Sequence, residues 1–181
     1  MPILGIIASS FRSAAGPQGA YDALATVTVP SGGTASISFT GIPTGYKHLQ
    51  IRTIALSSGT YSQDDIVRFN SDSGANYSWH ELVGNGGTAN VYSGVSATYM
   101  PASILPDSTY PVAYVMDILD YQNTNKYKTT RSLWGVDRNG SGYVGLNSGS
   151  WRNTDVITTI TISPNTGVWN QNSSFALYGV K

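Results

Sequence analysis

Short runs in which apolar and polar residues alternate, each closed by a turn rich in Gly, Pro or Asn, recur along most of this chain and leave no helical period of useful length. Leu24-Ala-Thr-Val-Thr-Val29 alternates, Pro30-Ser-Gly-Gly33 turns the chain, and Ala35-Ser-Ile-Ser-Phe-Thr40 alternates again, which predicts a hairpin. Gly41-Ile-Pro-Thr-Gly45 breaks the pattern before a long strand over 47–56, where the apolar phase shifts around Arg52 and Thr53 and predicts a bulge. A shorter strand over 65–70 follows. The next, over 77–83, sets Tyr77, Trp79 and Glu81 on one face and His80 and Leu82 on the other. Residues 84–102 are loose and polar, and read as one irregular strand inside the longest loop. Runs over 112–121 and 126–134 flank Gln122-Asn-Thr-Asn125, a polar turn that joins them as a hairpin. Runs over 143–146, 156–162 and 174–180 complete the set. About ten short strands at this spacing predict an all-β fold, an antiparallel β-sandwich that is jelly-roll-like.

Composition supports the same reading and narrows the function. Charged residues make up only 11% of the 181 residues, against about 25% in an ordinary soluble domain. Ser, Thr, Asn, Gly and Tyr take their place, and these favour strand and turn over helix. The length suits one domain with a core of useful size. Net charge is zero, so the chain carries no electrostatic footprint for nucleic acid or an anionic membrane. With no cysteine, disulfides, thiolate metal sites and cysteine nucleophiles are ruled out. A strand-rich chain with so little charge risks edge-to-edge association as a free monomer, which points to oligomerisation.

The first residues, Met1-Pro2-Ile3-Leu4-Gly5-Ile6-Ile7, are apolar, lack a basic leader and are too few to span a bilayer. With the Ser-, Ala- and Gly-rich residues after them they read as an extended docking arm and linker over 1–22, in which Ile3, Leu4, Ile6 and Ile7 would contact a neighbour. The sandwich domain then covers 23–181.

Residues able to carry chemistry are sparse. The two histidines, His48 and His80, both fall in predicted strands, and no nucleophile-elbow pattern accompanies the many serines. Carboxylates that could pair for acid–base work are Asp64, Asp65, Asp72, Glu81, Asp117 and Asp120. Asp64, Asp65 and Asp72 sit where turns use Asp for backbone bonding, and the spacing of Asp117 and Asp120 sets them on opposite faces of a regular strand. Asp137-Arg-Asn-Gly-Ser-Gly142 has oxygen ligands at alternate positions like a calcium loop, but Ser148 stands where the bidentate Glu is needed, so it reads as a tight hairpin turn. The expectation is a non-enzyme without metal or cofactor. Aromatic residues cluster near loops and strand ends, and Trp79, Tyr92, Trp134, Trp151 and Trp169 are candidates for stacking a glycan or filling an interface.

Several segments taken together resemble a family of tailed-bacteriophage virion and tail proteins common in phages of aquatic bacteria. They are Leu4-Gly-Ile-Ile-Ala-Ser-Ser10, Tyr46-Lys-His-Leu-Gln-Ile-Arg52, Phe69-Asn-Ser-Asp72 with Gly74-Ala-Asn-Tyr77, Ile118-Leu-Asp-Tyr121 with Asn123-Thr-Asn-Lys-Tyr-Lys128, and Ser174-Phe-Ala-Leu-Tyr-Gly-Val-Lys181. The resemblance runs nearly end to end. It implies a virion component without saying which part of the particle, and it strengthens the expectation of a homo-oligomer such as a trimer. The reading taken from this is a structural protein of the virion exterior, tail- or fibre-associated, assembled with other virion proteins. It brings no catalytic residues. A capsid decoration protein and a carbohydrate-binding module that recognises a host-surface glycan are the alternatives.

Overall fold

The computed structural model describes residues 19–61, 63–104 and 106–181. Among these, eleven strands and no helix form an antiparallel β-sandwich. In chain order they are β1 (Tyr21–Thr28), β2 (Ile37–Thr40), β3 (His48–Ala55), β4 (Asp65–Phe69), β5 (Tyr77–Gly84), β6 (Ala89–Ala97), β7 (Val112–Leu119), β8 (Lys128–Asp137), β9 (Gly142–Trp151), β10 (Thr159–Pro164) and β11 (Ser174–Val180). Eight build one sheet in the order β1-β11-β3-β7-β8-β9-β5-β6, and three build a second in the order β2-β10-β4. The strands therefore divide eight to three rather than evenly.

Alternation sorts the side chains as the sequence requires. In β7, Val112, Tyr114, Met116 and Ile118 point inward and are buried, while Ala113 and Val115 point outward. Facing them across the core are Ile160 and Ile162 of β10, Val67 and Phe69 of β4, and Ile37 and Phe39 of β2. Trp134, Trp151 and Trp169 are all buried, and each indole N–H finds an acceptor: Asn147 Oδ1 at 2.7 Å, Asp72 Oδ2 at 2.7 Å and the Ile162 carbonyl at 3.2 Å. Satisfying that donor is what allows so large a side chain to be buried without loss. Trp134 also needs a glycine beside it. Its cross-strand neighbour is Gly145, where an added Cβ would lie 2.3 Å from the indole ring.

Several local expectations change. β3 runs in unbroken register with both β11 and β7, so it has no bulge. The apparent phase shift arises because Thr53 faces the core and Ile54 faces solvent. Register shifts occur instead in β1, between Ala23 and Ala25, and where β6 meets β5, between Tyr77 and Trp79. Residues 84–102 hold a nine-residue strand, β6, and the long connection falls after it, over 98–111. β10 starts at Thr159, not at Val156. Tyr21 and Asp22 pair with Val180 and Gly179, so the sheet begins inside the segment assigned to the arm. Ile3, Leu4, Ile6 and Ile7 lie outside the described residues.

Between Asp137 and Gly142 the chain makes a tight turn. Asn139 and Gly140 both have positive φ, at 55° and 100°, as a two-residue hairpin loop with the twist of its strands requires, and the Arg138 amide donates to the Ser141 carbonyl. Asp137 Oδ1 accepts the Asn139 amide at 2.8 Å, which uses that carboxylate for the turn.

Replacing Gly145 by Ala is expected to force Trp134 off its rotamer and cost about 1–3 kcal/mol, the usual range for overpacking. Thermal denaturation of Gly145→Ala beside Ser148→Ala, which alters only the exposed face, checks this; equal melting temperatures would refute it.

Candidate functional site

Three strands cannot cover eight, and the uncovered parts of the large sheet are where function can reside. Its outer face is one such part. Residues directly opposite each other on successive strands form rows, and one row reads Arg52, Val115, Leu133, Leu146, Leu82, Val91 from β3 to β6. The next row holds Ile54, Ala113, Gly135, Val144, Gly84 and Ala89. Leu133 is 57% exposed and Val91 72%. Two shallow grooves lie on this face, one of about 710 Å³ among Leu82, Val91, Val115, Leu133 and Leu146, and one of about 630 Å³ over Gly135. A polar row borders it: Gln50 Nε2 donates to Asp117 Oδ1 at 2.8 Å, and Arg131 Nε donates to Asp117 Oδ2 at 2.9 Å. Isolated apolar side chains on a surface are ordinary, but two adjacent rows spanning six strands form a contiguous apolar patch.

The second uncovered part is the inner face of β5 and β6 at the sheet's edge. β6 lies beyond the cover of the small sheet, and its inward-facing Tyr92 stays 52% exposed. Here Asp64, Trp79, Glu81, Val83, Tyr92, Ile104 and Tyr143 line a cleft of about 340 Å³. Trp79 can lie against the sheet because its cross-strand partner is Gly94, where an added Cβ would fall 2.5 Å from the indole nitrogen. Glu81 is 4% exposed, and its Oε1 has no hydrogen-bond partner. Burial pushes its carboxyl up to about 7; the charge of Asp64 adds to the shift and the Asn147 and Trp134 side chains oppose it. Asp64 is also raised by burial, against a hydrogen bond from the Tyr99 hydroxyl to its Oδ2 at 3.0 Å.

The wall of the cleft is held by another buried acid. Asp65 sits next to Asp64 in sequence but points into the core, where Oδ1 accepts the backbone amides of Ala102 and Ser103 at 2.7 and 3.0 Å. Bridges between Asp64 and Ile104 and between Val67 and Met100 lay this segment beside β4. Burial raises Asp65 to about 7, with those amide donors opposing.

Of the aromatic candidates, only Trp79 and Tyr92 come together at an accessible place. Trp134, Trp151 and Trp169 are core residues and present no outer face for a glycan. Neither histidine meets a nucleophile: His48 Nδ1 accepts the Asp120 amide at 2.9 Å, and His80 lies on the exposed outer face. Asp117 belongs to that face and Asp120 to the turn after β7, where it pairs with Lys126. Among the described residues no group of three or more metal-ligating side chains converges. Convergence of Asp64 with Glu81 was not expected; its only trace in the sequence is a Glu in phase with Tyr77 and Trp79 on the inward face of β5. No known family model matches this chain, and no curated protein matches it significantly.

Asp65 and Glu81 contribute to the pH dependence of stability between about pH 4 and about pH 7. An unfolded chain releases these protons near 4, whereas the folded protein holds them to about 7, so the folded state binds more protons in between. Stability from these groups is therefore highest at the acid end and falls as pH rises from about 4 to about 7. Melting temperature across that range is expected to decline, less steeply for Asp65→Asn than for the parent. A parent slope equal to that of the variant would refute the assignment.

Proposed function

We propose that this chain is a non-catalytic structural subunit of the exterior of a bacteriophage virion, tail- or fibre-associated, that acts by assembling with neighbouring subunits. The observation that carries assembly is the outer face of the large sheet, where Ile54, Val115, Leu133, Val144, Leu146, Leu82 and Val91 are exposed across six adjacent strands. Covering such a face removes apolar area from water at about 25 cal/mol per Å² gross, and the bordering Gln50–Asp117–Arg131 row supplies polar contacts at the rim, the arrangement of a protein interface. The segments quoted above support the virion as the setting, including Tyr46–Arg52 and the closing Ser174–Lys181. In this reading the partners are other virion proteins and further copies of the chain, as a trimer, and Ile3, Leu4, Ile6 and Ile7 of the arm dock on a neighbour.

A capsid decoration protein is the close variant, and copy number separates the two. Quantitative mass spectrometry of purified particles, with the major capsid protein as internal standard, is expected to find a few copies to a few dozen. Hundreds of copies would move the protein to the shell, and absence from the particle would sink the virion reading. The face itself is tested by Leu133→Lys combined with Leu146→Lys, which leaves the core untouched. Light scattering is expected to show the parent as an oligomer and the double variant shifted to monomer. A variant that assembles as the parent does would remove this face from the interface.

A further inference from the structure

The cleft beneath β5 and β6 is not needed for assembly through the opposite face, and its chemistry is unlike that of the apolar rows. It sets two carboxylates, Asp64 and Glu81, among three aromatic rings, Trp79, Tyr92 and Tyr143, and among the described residues no basic side chain lines it. Anions are therefore disfavoured. Glu81 is almost wholly buried yet keeps Oε1 without a donor; among the described residues the other buried side-chain oxygens without a partner, on Thr53, Tyr61 and Tyr114, are hydroxyls, whereas the buried acid Asp65 has its donors. A buried acceptor without a partner costs about 1–3 kcal/mol, more if charged, so an arrangement that retains one is explained by a ligand that supplies the donor.

We propose that this cleft binds an organic ammonium group, its charge paired with Glu81 and Asp64 and its carbon-bound faces against Trp79 and Tyr92. Aromatic faces attract cations through their quadrupole, most strongly where water is excluded. The carboxylates add charge-assisted hydrogen bonds if the ammonium carries protons. A neutral sugar would satisfy the hydrogen bonds but gain nothing from the paired negative charge. The volume, about 340 Å³, lies at the small end of ligand sites and suits a side chain or a single headgroup rather than a long polymer. The ammonium could be a lysine side chain of a protein partner, a choline headgroup or an amino sugar, all sharing the same recognition chemistry.

Protonation of Glu81 competes with the cation. The groups that face it are Asp64, with Tyr99 bonded to it, from the segments beside β4; Tyr92 from β6; Tyr143 and Asn147 from β9; and Trp134 from β8. Among these described residues none is a fixed cation, so only the neutral Asn147 and Trp134 side chains favour ionised Glu81. A permanently charged ligand should then bind the deprotonated form.

The folded full-length chain can be titrated with choline, Nα-acetyl-lysine methylamide, glucosamine and, as neutral control, glucose, following tryptophan fluorescence and calorimetry. Trp79 is the half-buried indole, whereas Trp134, Trp151 and Trp169 are shielded, so the fluorescence change reports on the cleft. At least one ammonium ligand should bind saturably and glucose at least about tenfold more weakly, with choline affinity rising about tenfold or more from about pH 5.5 to 8.5. The preferred ligand identifies the source. Glu81→Gln should weaken choline binding about tenfold and flatten its pH dependence. Gly94→Ala, which displaces Trp79 without touching either acid, should weaken binding while leaving the pH dependence in place. Equal binding of glucose and glucosamine, or no saturable binding of any ammonium at the higher pH by either method, would overturn the proposal.

Discussion

An eight-stranded sheet backed by three strands is the constraint from which the rest of this molecule follows. Strands lie about 4.8 Å apart, so the large sheet is more than twice as wide as its cover. The cover sits against the central strands, where Leu49, Ile51, Met116 and Ile118 meet Phe69, Ile160 and Ile162. Everything beyond that contact has to be closed by loops or left open. The connection over 98–111 closes part of it, through the Asp65 carboxylate and the bridges to Ile104 and Met100. The outer face and the inner side of β6 remain open, and these carry the two functional arguments.

Buried polar groups show how the core tolerates a chain so rich in Ser, Thr and Tyr. Lys128 is fully buried, and its Nζ donates to the carbonyls of Asn123 and Thr154 at 2.6 and 3.0 Å. It closes the turn between β7 and β8 and ties that turn to the segment before β10. Asp72 does similar service at the same end, accepting the Trp151 indole, the Asn76 amide group and the Gly74 backbone. Lys128 and Asp72 are matched because an unmatched charge in a low-dielectric interior is expensive; the hydroxyls of Thr53, Tyr61 and Tyr114, which carry no charge, go without a partner. Against that background Glu81 stands out as an acid whose Oε1 is unmatched, on a residue that lines the cleft.

The strands were readable in the sequence because one buried and one unburied face impose a period of two, and β7, β8 and β11 show it without interruption. The reading faltered where apolar residues occur on both faces. In β3, Ile51 faces in and Ile54 faces out, and alternation by hydrophobicity alone reads that as a bulge. It faltered again at β6, which is exposed along most of its length and so lacks a buried period. Aromatic residues misled for a related reason: a Trp beside polar neighbours is core where a glycine on the next strand makes room for it, as Gly145 does for Trp134.

By itself the sequence determined the class of fold, because low charge, alternating runs and glycine- and asparagine-rich turns permit little but antiparallel sheet. It also determined that no strong net charge or cysteine chemistry would be available. Only the tertiary structure decided which strands share a sheet, since cross-strand pairing joins residues as distant as Thr28 and Ser174 or Tyr77 and Trp151. That pairing turned single exposed aliphatics into a continuous face. It also brought Asp64 to Glu81 and buried three of the four tryptophans, because distance in space depends on sheet order and register, which no local pattern encodes.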